Sequence, residues 1–208
     1  MLLYAITGRQ LLPGGELEQQ TALVSLAADW TRGGVDYIQV REKDLAAGDL
    51  LVLAQRIVTA VRVEGRETKV LVNGPADVAL EAGADGVHLP GSAVRSAAGE
   101  VRRVYRSAGR EAIVSRACHS VEEVRTADAS LIVFAPVFEK VSGLDAEEAQ
   151  QGVGLNVLSE ACRAAGMVPV IALGGVTRGN AAECVAAGAA GVAGIRLFLA
   201  DEWRGLRR

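Results

Sequence analysis

Cysteine is scarce in this 208-residue chain: Cys118, Cys162 and Cys184 are the three, with no CxxC spacing. They cannot all pair internally, so a disulfide framework is excluded, and buried thiols in a reducing compartment are expected. An excess of either charge is also lacking, since 22 basic residues face 25 acidic ones for a net charge of −3. That balance gives no global attraction for nucleic acid or an anionic membrane surface. No apolar run approaches the roughly 20 residues that span a bilayer. The N-terminal MLLYAIT passes straight into GRQ, with neither a basic leader nor a cleavage site, and a cytoplasmic location is the expectation. Spacings of His, Cys or carboxylates suited to a metal are missing as well, so neither a metal nor a cofactor is expected.

What is present is apolar: 50% of residues are hydrophobic and 23% charged. That composition and length suit one compact domain over residues 1–208, large enough for a sizeable core. Eight apolar runs have strand length, at 2–7, 36–41, 69–73, 86–89, 112–117, 131–137, 168–173 and 191–196. Most are apolar at nearly every position, the pattern of strands buried on both faces. Between them lie helical spacings, clearest in Leu50, Leu53, Ala54, Ile57, Val58 and Val61. Alternating strands and helices predict parallel strands joined by right-handed crossovers.

A weak repeat sharpens the prediction. Gly34-Val35-Asp36, Gly83-Ala84-Asp85 and Gly188-Ala189-Ala190 each sit between a helix and a strand, where glycine takes the left-handed cap. The spacings between them match two and four units of about 25 residues. Eight such units fill the chain as an α/β fold, a single (β/α)8 TIM barrel of the phosphate-binding type, with a doubly wound open sheet as the alternative. Residues 140–152 read as a mobile loop after the sixth strand.

In such barrels the site lies at the C-terminal strand ends. Gly174-Gly175 and Gly194-Ile195 end the last two strands, where backbone amides can approach a phosphate or the glycines merely allow tight turns. Arg41-Glu42-Lys43 closes the second strand with a bidentate fork and a movable point charge, or else forms a solvated strand end. Asn73 can meet a ligand or its own turn. His88, inside GVHLPG, reads as a structural imidazole. His119 follows the fifth strand in Cys118-His119-Ser120, before Glu122 and Glu123, where one imidazole could take and return a proton. Its other role would be to cap the next helix, for which Ser120 is better suited. Cys118 is a weaker nucleophile candidate, since adjacent strand residues point to opposite faces.

VREKD (40–44), LVNGPADVALEAGADGVHL (71–89), CHSVEE (118–123), FAPVFEK (134–140), VIALGGV (170–176) and GVAGI (191–195) resemble, in order, the thiamine phosphate synthase/TenI superfamily across essentially the whole chain. The resemblance implies a role in thiamine biosynthesis. It has two branches. Synthases join a hydroxymethylpyrimidine diphosphate to a thiazole phosphate and use Mg²⁺ held by two acidic residues. At those positions this chain has Gly74 and, by counting, Ala93, and Glu139-Lys140-Val141-Ser142 replaces the synthases' threonine-rich stretch. TenI-type thiazole tautomerases need no metal and carry a histidine matching His119. By this likeness the chain is expected to be an isomerase that aromatises a thiazole carboxylate phosphate. His119 would shuttle the proton, Gly174, Gly175, Gly194 and Ile195 would hold the phosphate, and Arg41, Lys43 and Asn73 would bind the rest. A synthase, or a non-catalytic thiazole or thiamine phosphate-binding regulator, is the alternative. The expected partner is the small-molecule thiazole phosphate, with no nucleic acid and no membrane; a homodimer is the base-rate expectation.

Overall fold

The computed structural model describes residues 1–141 and 149–206. The first half of the chain alternates β1 (Leu2–Ile6), α1 (Glu16–Arg32), β2 (Tyr37–Val40), α2 (Ala47–Val63), β3 (Lys69–Val72), α3 (Ala76–Glu81), β4 (Gly86–Leu89) and α4 (Ala97–Ser107). It continues with β5 (Ile113–Cys118), α5 (Val121–Arg125), β6 (Leu131–Phe134) and the two-residue strands β7 (Lys140–Val141) and β8 (Ala149–Gln150). The last part holds α6 (Gly154–Ala164), β9 (Val170–Ala172), α7 (Ala181–Ala186), β10 (Gly191–Gly194) and α8 (Arg196–Leu199).

Eight of these strands are parallel and close into a barrel, β1 pairing with both β2 and β10, while β7 and β8 form a separate antiparallel pair. The barrel therefore stands over the open sheet. At the seam Leu2 to Ala5 pair with Gly191 to Gly194. Strand alternation explains why both faces are apolar. Tyr4, Ile6, Leu71, Leu131, Val133 and Ile171 fill the barrel interior. Leu3, Ala5, Val70, Val72, Ile132 and Phe134 point outward into the layer shared with the helices. The predicted stripe of α2 is buried in full, from Leu50 to Val61.

Two strand glycines are steric necessities. A Cβ at Gly86 would lie 1.8 Å from the Ile113 carbonyl oxygen, and one at Gly191 would lie 2.0 Å from that of Leu2. The repeated glycines Gly34, Gly83 and Gly188 have φ of 85°, 77° and 107°, the left-handed conformation expected of them. After α8 the chain folds back, stacking Trp203 on Phe198 with ring centroids 5.8 Å apart, and Phe198 meets Trp30 of α1 edge-on.

Most strand ends shift by one to three residues from the sequence expectation, and three differences shape the barrel mouth. The sixth strand ends at Phe134 because Val137 N–H and Phe138 N–H turn to the carbonyls of Leu173 and Gly174, lacing this loop to the one after β9. The last strand ends at Gly194, since Ile195 begins the turn into α8. Within the loop expected at 140–152 the flanks pair as β7 and β8, and residues 142–148 lie outside the described residues.

Candidate active site

The C-terminal strand ends surround a cavity of about 1050 Å³. Arg41 and Lys43 reach it from the end of β2, Asn73 from β3, and His119 from the end of β5. Gly174 and Gly175 follow β9, and Gly194 and Ile195 follow β10. All eight residues singled out in the sequence thus line one cavity. Glu139 and Arg196, at strand ends in the sequence, line it too, as do Gln39 and Thr177, which sequence reasoning missed. Gln39 could have been found: it is the one polar residue inside the apolar run YIQV.

The glycine loops are shaped by close approach. Gly174 has φ of 94°, and a Cβ there would lie 2.6 Å from Pro136 Cα; Gly175 has φ of 63°, with the Glu139 carbonyl oxygen 2.5 Å from its Cβ position. Asn180 fixes the turn by donating from Nδ2 to the Gly175 carbonyl at 3.0 Å and accepting from Thr177 N–H at 2.8 Å. Among the described residues, the amides of Gly174, Gly175 and Val176 donate to no protein acceptor. Unpaired amides on a rigid turn suit an anion.

The middle of Arg41-Glu42-Lys43 behaves unlike its neighbours. Glu42 is buried and accepts from Thr7 Oγ1 at 2.6 Å and from Arg9 Nη1 at 3.0 Å. Thr7 Oγ1 in turn accepts from Arg41 N–H at 2.8 Å. Arg9 is itself buried, and its guanidinium also pairs with Glu16 and Asp44. This clamp anchors the strand end while Arg41 and Lys43 face the cavity. In the sequence Arg9 looked like part of a polar loop, because nothing local distinguishes a buried arginine from a solvated one.

His119 is exposed to the cavity. Its Nδ1 lies 2.7 Å from the Ala135 carbonyl oxygen, and a carbonyl can only accept, so Nδ1 carries the proton. Nε2 is left with a free lone pair beside Gly91, where a Cβ would lie 3.0 Å away. The backbone N–H of His119 donates to Glu123 Oε2 at 2.5 Å, and Ser120 Oγ caps α5 by accepting from Glu123 N–H. The capping role falls to Ser120, leaving the imidazole for other work.

His88 is buried, with Nδ1 2.5 Å from Ser115 Oγ, yet it also lines the cavity. Burial first, then the charge of Arg41, lowers its pKa to about 4. Cys118 faces the helix layer instead of the cavity, and burial pushes its thiol up to about 11, so it is no thiolate nucleophile. All three cysteines are free; Cys118 and Cys184 are buried, whereas Cys162, expected to be buried too, is half-buried.

The positions where synthases hold Mg²⁺ do not fit that ion. Gly74 and Ala93 offer no side-chain oxygen, and the carbonyl of Ala93 already accepts from Arg116 Nη2 at 2.7 Å. Among the described residues no group of three or more His, Cys, Asp or Glu is placed to hold a metal ion. None of the described helices is long and apolar enough to cross a membrane.

Comparison with known proteins gives concordant results. The family described as Thiamine monophosphate synthase matches residues 3–198. A putative thiamine-phosphate synthase from Geobacter sulfurreducens is 36% identical over 202 residues, covering 96% of this chain and 87% of the relative. A thiamine-phosphate synthase from Methanoculleus marisnigri is 36% identical over 206 residues, covering 96% and 88%. Among solved structures, thiamine phosphate pyrophosphorylase from Pyrococcus furiosus superposes with a TM-score of 0.76 at 25% identity, covering 98% of this chain and 90% of that one.

Proposed function

We propose that this chain, which belongs to the thiamine monophosphate synthase family, is a thiazole tautomerase working by proton transfer through His119. The observation that carries the reading is the tautomer of that histidine. Its Nδ1–H is tied to the Ala135 carbonyl, so Nε2 enters the cavity as a base.

The reaction needs one C–H bond to break and another to form. Nε2 takes the proton from the ring carbon beside the carboxylate of an exocyclic dihydrothiazole phosphate. The electrons move through the ring to the exocyclic double bond, and the same imidazolium returns the proton to the exocyclic carbon. The Ala135 carbonyl stabilises the transient positive charge through Nδ1–H. Arg41 and Lys43 offset the negative charge that builds on the substrate during deprotonation. The turns at Gly174–Gly175 and Gly194–Ile195 hold the phosphate through backbone amides. Aromaticity drives the step, so the protein need only position the substrate and carry a proton.

The test follows ultraviolet absorbance as the exocyclic thiazole carboxylate phosphate aromatises, with EDTA present. Rapid turnover that falls about 10²- to 10⁴-fold in His119→Ala, with binding little changed, supports the shuttle. Equal turnover in that variant would refute it. The names of the relatives favour a second reading, synthesis of thiamine phosphate from the pyrimidine diphosphate and the thiazole phosphate. Gly74 and the Arg116–Ala93 contact oppose it, and Mg²⁺-dependent release of pyrophosphate is its assay.

A further inference from the structure

The chain has two histidines, and both line the same cavity. Their hydrogen bonds hold them in opposite tautomers. His119 has its proton on Nδ1, as shown above. For His88 the answer comes from a buried phenol. Tyr4 is fully buried, and among the described residues its hydroxyl reaches two atoms, Ser115 Oγ at 3.1 Å and His88 Nδ1 at 3.5 Å. A sealed O–H that finds no acceptor is costly, so Tyr4 must donate to one of these. Tyr4 donates to Ser115, and Ser115 donates to His88 Nδ1 at 2.5 Å. The reverse order, imidazole to serine to phenol, strands the phenol proton, and a serine accepting from both neighbours strands its own. Nδ1 of His88 is therefore an acceptor, and the proton sits on Nε2.

That Nε2–H meets no protein acceptor among the described residues, and it is not one of the sealed orphan atoms, which are Gln39 Oε1 and Trp203 Nε1. It opens instead onto the cavity, through the 6% of the residue that remains exposed. We propose that His88 is a second substrate-contacting residue, a neutral N–H donor on the cavity floor that binds the substrate's carboxylate together with Arg41. The identity of that ligand rests on the tautomerase reading. With a pKa near 4 the ring stays uncharged at neutral pH, so it adds a donor beside Arg41 without adding a repelling cation. Deprotonation by His119 sends electron density toward the carboxylate, where a fixed donor strengthens its hold as the charge grows. One imidazole is the base and the other the donor, and Ser115 and Tyr4 are positioning residues that hold the second in its form.

Long-range ¹H–¹⁵N spectra of protein labelled at histidine nitrogen read the tautomers directly, and His119→Ala assigns the two rings. Ligand-free His88 is expected as the Nε2–H form at pH 7, with that form partly lost in Ser115→Ala. Adding the aromatic thiazole carboxylate phosphate should shift His88 Nε2–H, and thiazole phosphate lacking the carboxylate should not. In turnover, His88→Leu should lose about 100-fold in kcat/KM, while His88→Gln, whose amide nitrogen reaches the place of Nε2, recovers most of it. An Nδ1–H tautomer in the wild type, an equal response to the two ligands, or no response to either would overturn the proposal. An intact, carboxylate-dependent response in a protein without tautomerase turnover would sink the tautomerase reading and leave the donor role standing.

Discussion

Replacing Arg9 by Met probes the clamp that holds the cationic strand end. The change removes the guanidinium from Glu42, whose side chain is 2% exposed, and from the more exposed Glu16 and Asp44. The exposed pairs are screened by water and add little. The buried one decides the outcome, because a buried carboxylate stripped of its cation costs about 3–5 kcal/mol. Thr7 Oγ1 and the Arg9 backbone N–H remain as donors to Glu42, which places the expected loss near the low end, about 3 kcal/mol. For a domain of this size that is a fall of roughly 6–12 °C in Tm. Urea unfolding of Arg9→Met, Glu42→Gln and the double variant measures it. The double variant should recover at least about 1 kcal/mol of the loss, because the uncompensated charge is gone. Since Thr7 ties Glu42 to the Arg41 backbone, KM for the thiazole phosphate should rise as well. A loss under about 1 kcal/mol in Arg9→Met, or no recovery in the double variant, would refute the reasoning.

Acid should weaken the fold in two windows. His88 takes a proton near pH 6.5 when unfolded but only near 4 when folded, so stability falls as pH drops between those values, by roughly 3 kcal/mol at about 1.4 per unit, and His88→Gln should flatten that limb in pH-dependent urea unfolding. The Arg9 guanidinium holds Asp44 at about 2 against an ordinary 3.8, so its contribution, small because water screens this exposed pair and complete above 3.8, is lost as pH falls toward 2, and Asp44→Asn should remove that shallow second limb. Gly175→Ala, at φ of 63° and against the Glu139 carbonyl, should raise KM for phosphorylated substrate about tenfold or more while the circular dichroism spectrum is retained. Gly86→Ala should instead damage the fold itself, since its Cβ would strike the Ile113 carbonyl between β4 and β5; a soluble variant with unchanged Tm would contradict this.

The barrel was readable because burial on both faces leaves a trace in every strand: Leu2–Ile6 and Leu131–Phe134 can hardly be anything else. The cap glycines added the spacing between units. The ring of residues around the cavity followed from their place after strands. What could not be read was partnership across the chain. Glu42 stands between two site cations in sequence, and only the fold shows it turned to Arg9, 33 positions earlier. His88 looked structural because its surroundings are apolar, and its second nitrogen has a different fate from its first. The tautomers of both histidines depend on Ala135, Ser115 and Tyr4, which no local pattern connects to them. The strand ends at Phe134 and Gly194 were overrun because the apolar pattern continues into turns that cross the barrel mouth.

The pairing of Leu2–Ala5 with Gly191–Gly194 also has a consequence for how the molecule is made. These partners lie at opposite ends of the chain, and synthesis delivers the first long before the second. Until Gly191 to Gly194 emerge, one side of LLYAI is an open hydrogen-bonding edge, flanked by interior residues such as Tyr4 that have no completed lumen to fill. A nascent chain stopped short of the last strand should behave as an adhesive ribbon, drawn to other copies of itself or to a chaperone. Closure is then the final event of folding, and the approach of Gly191 to the Leu2 carbonyl, too tight for any side chain, acts as its latch.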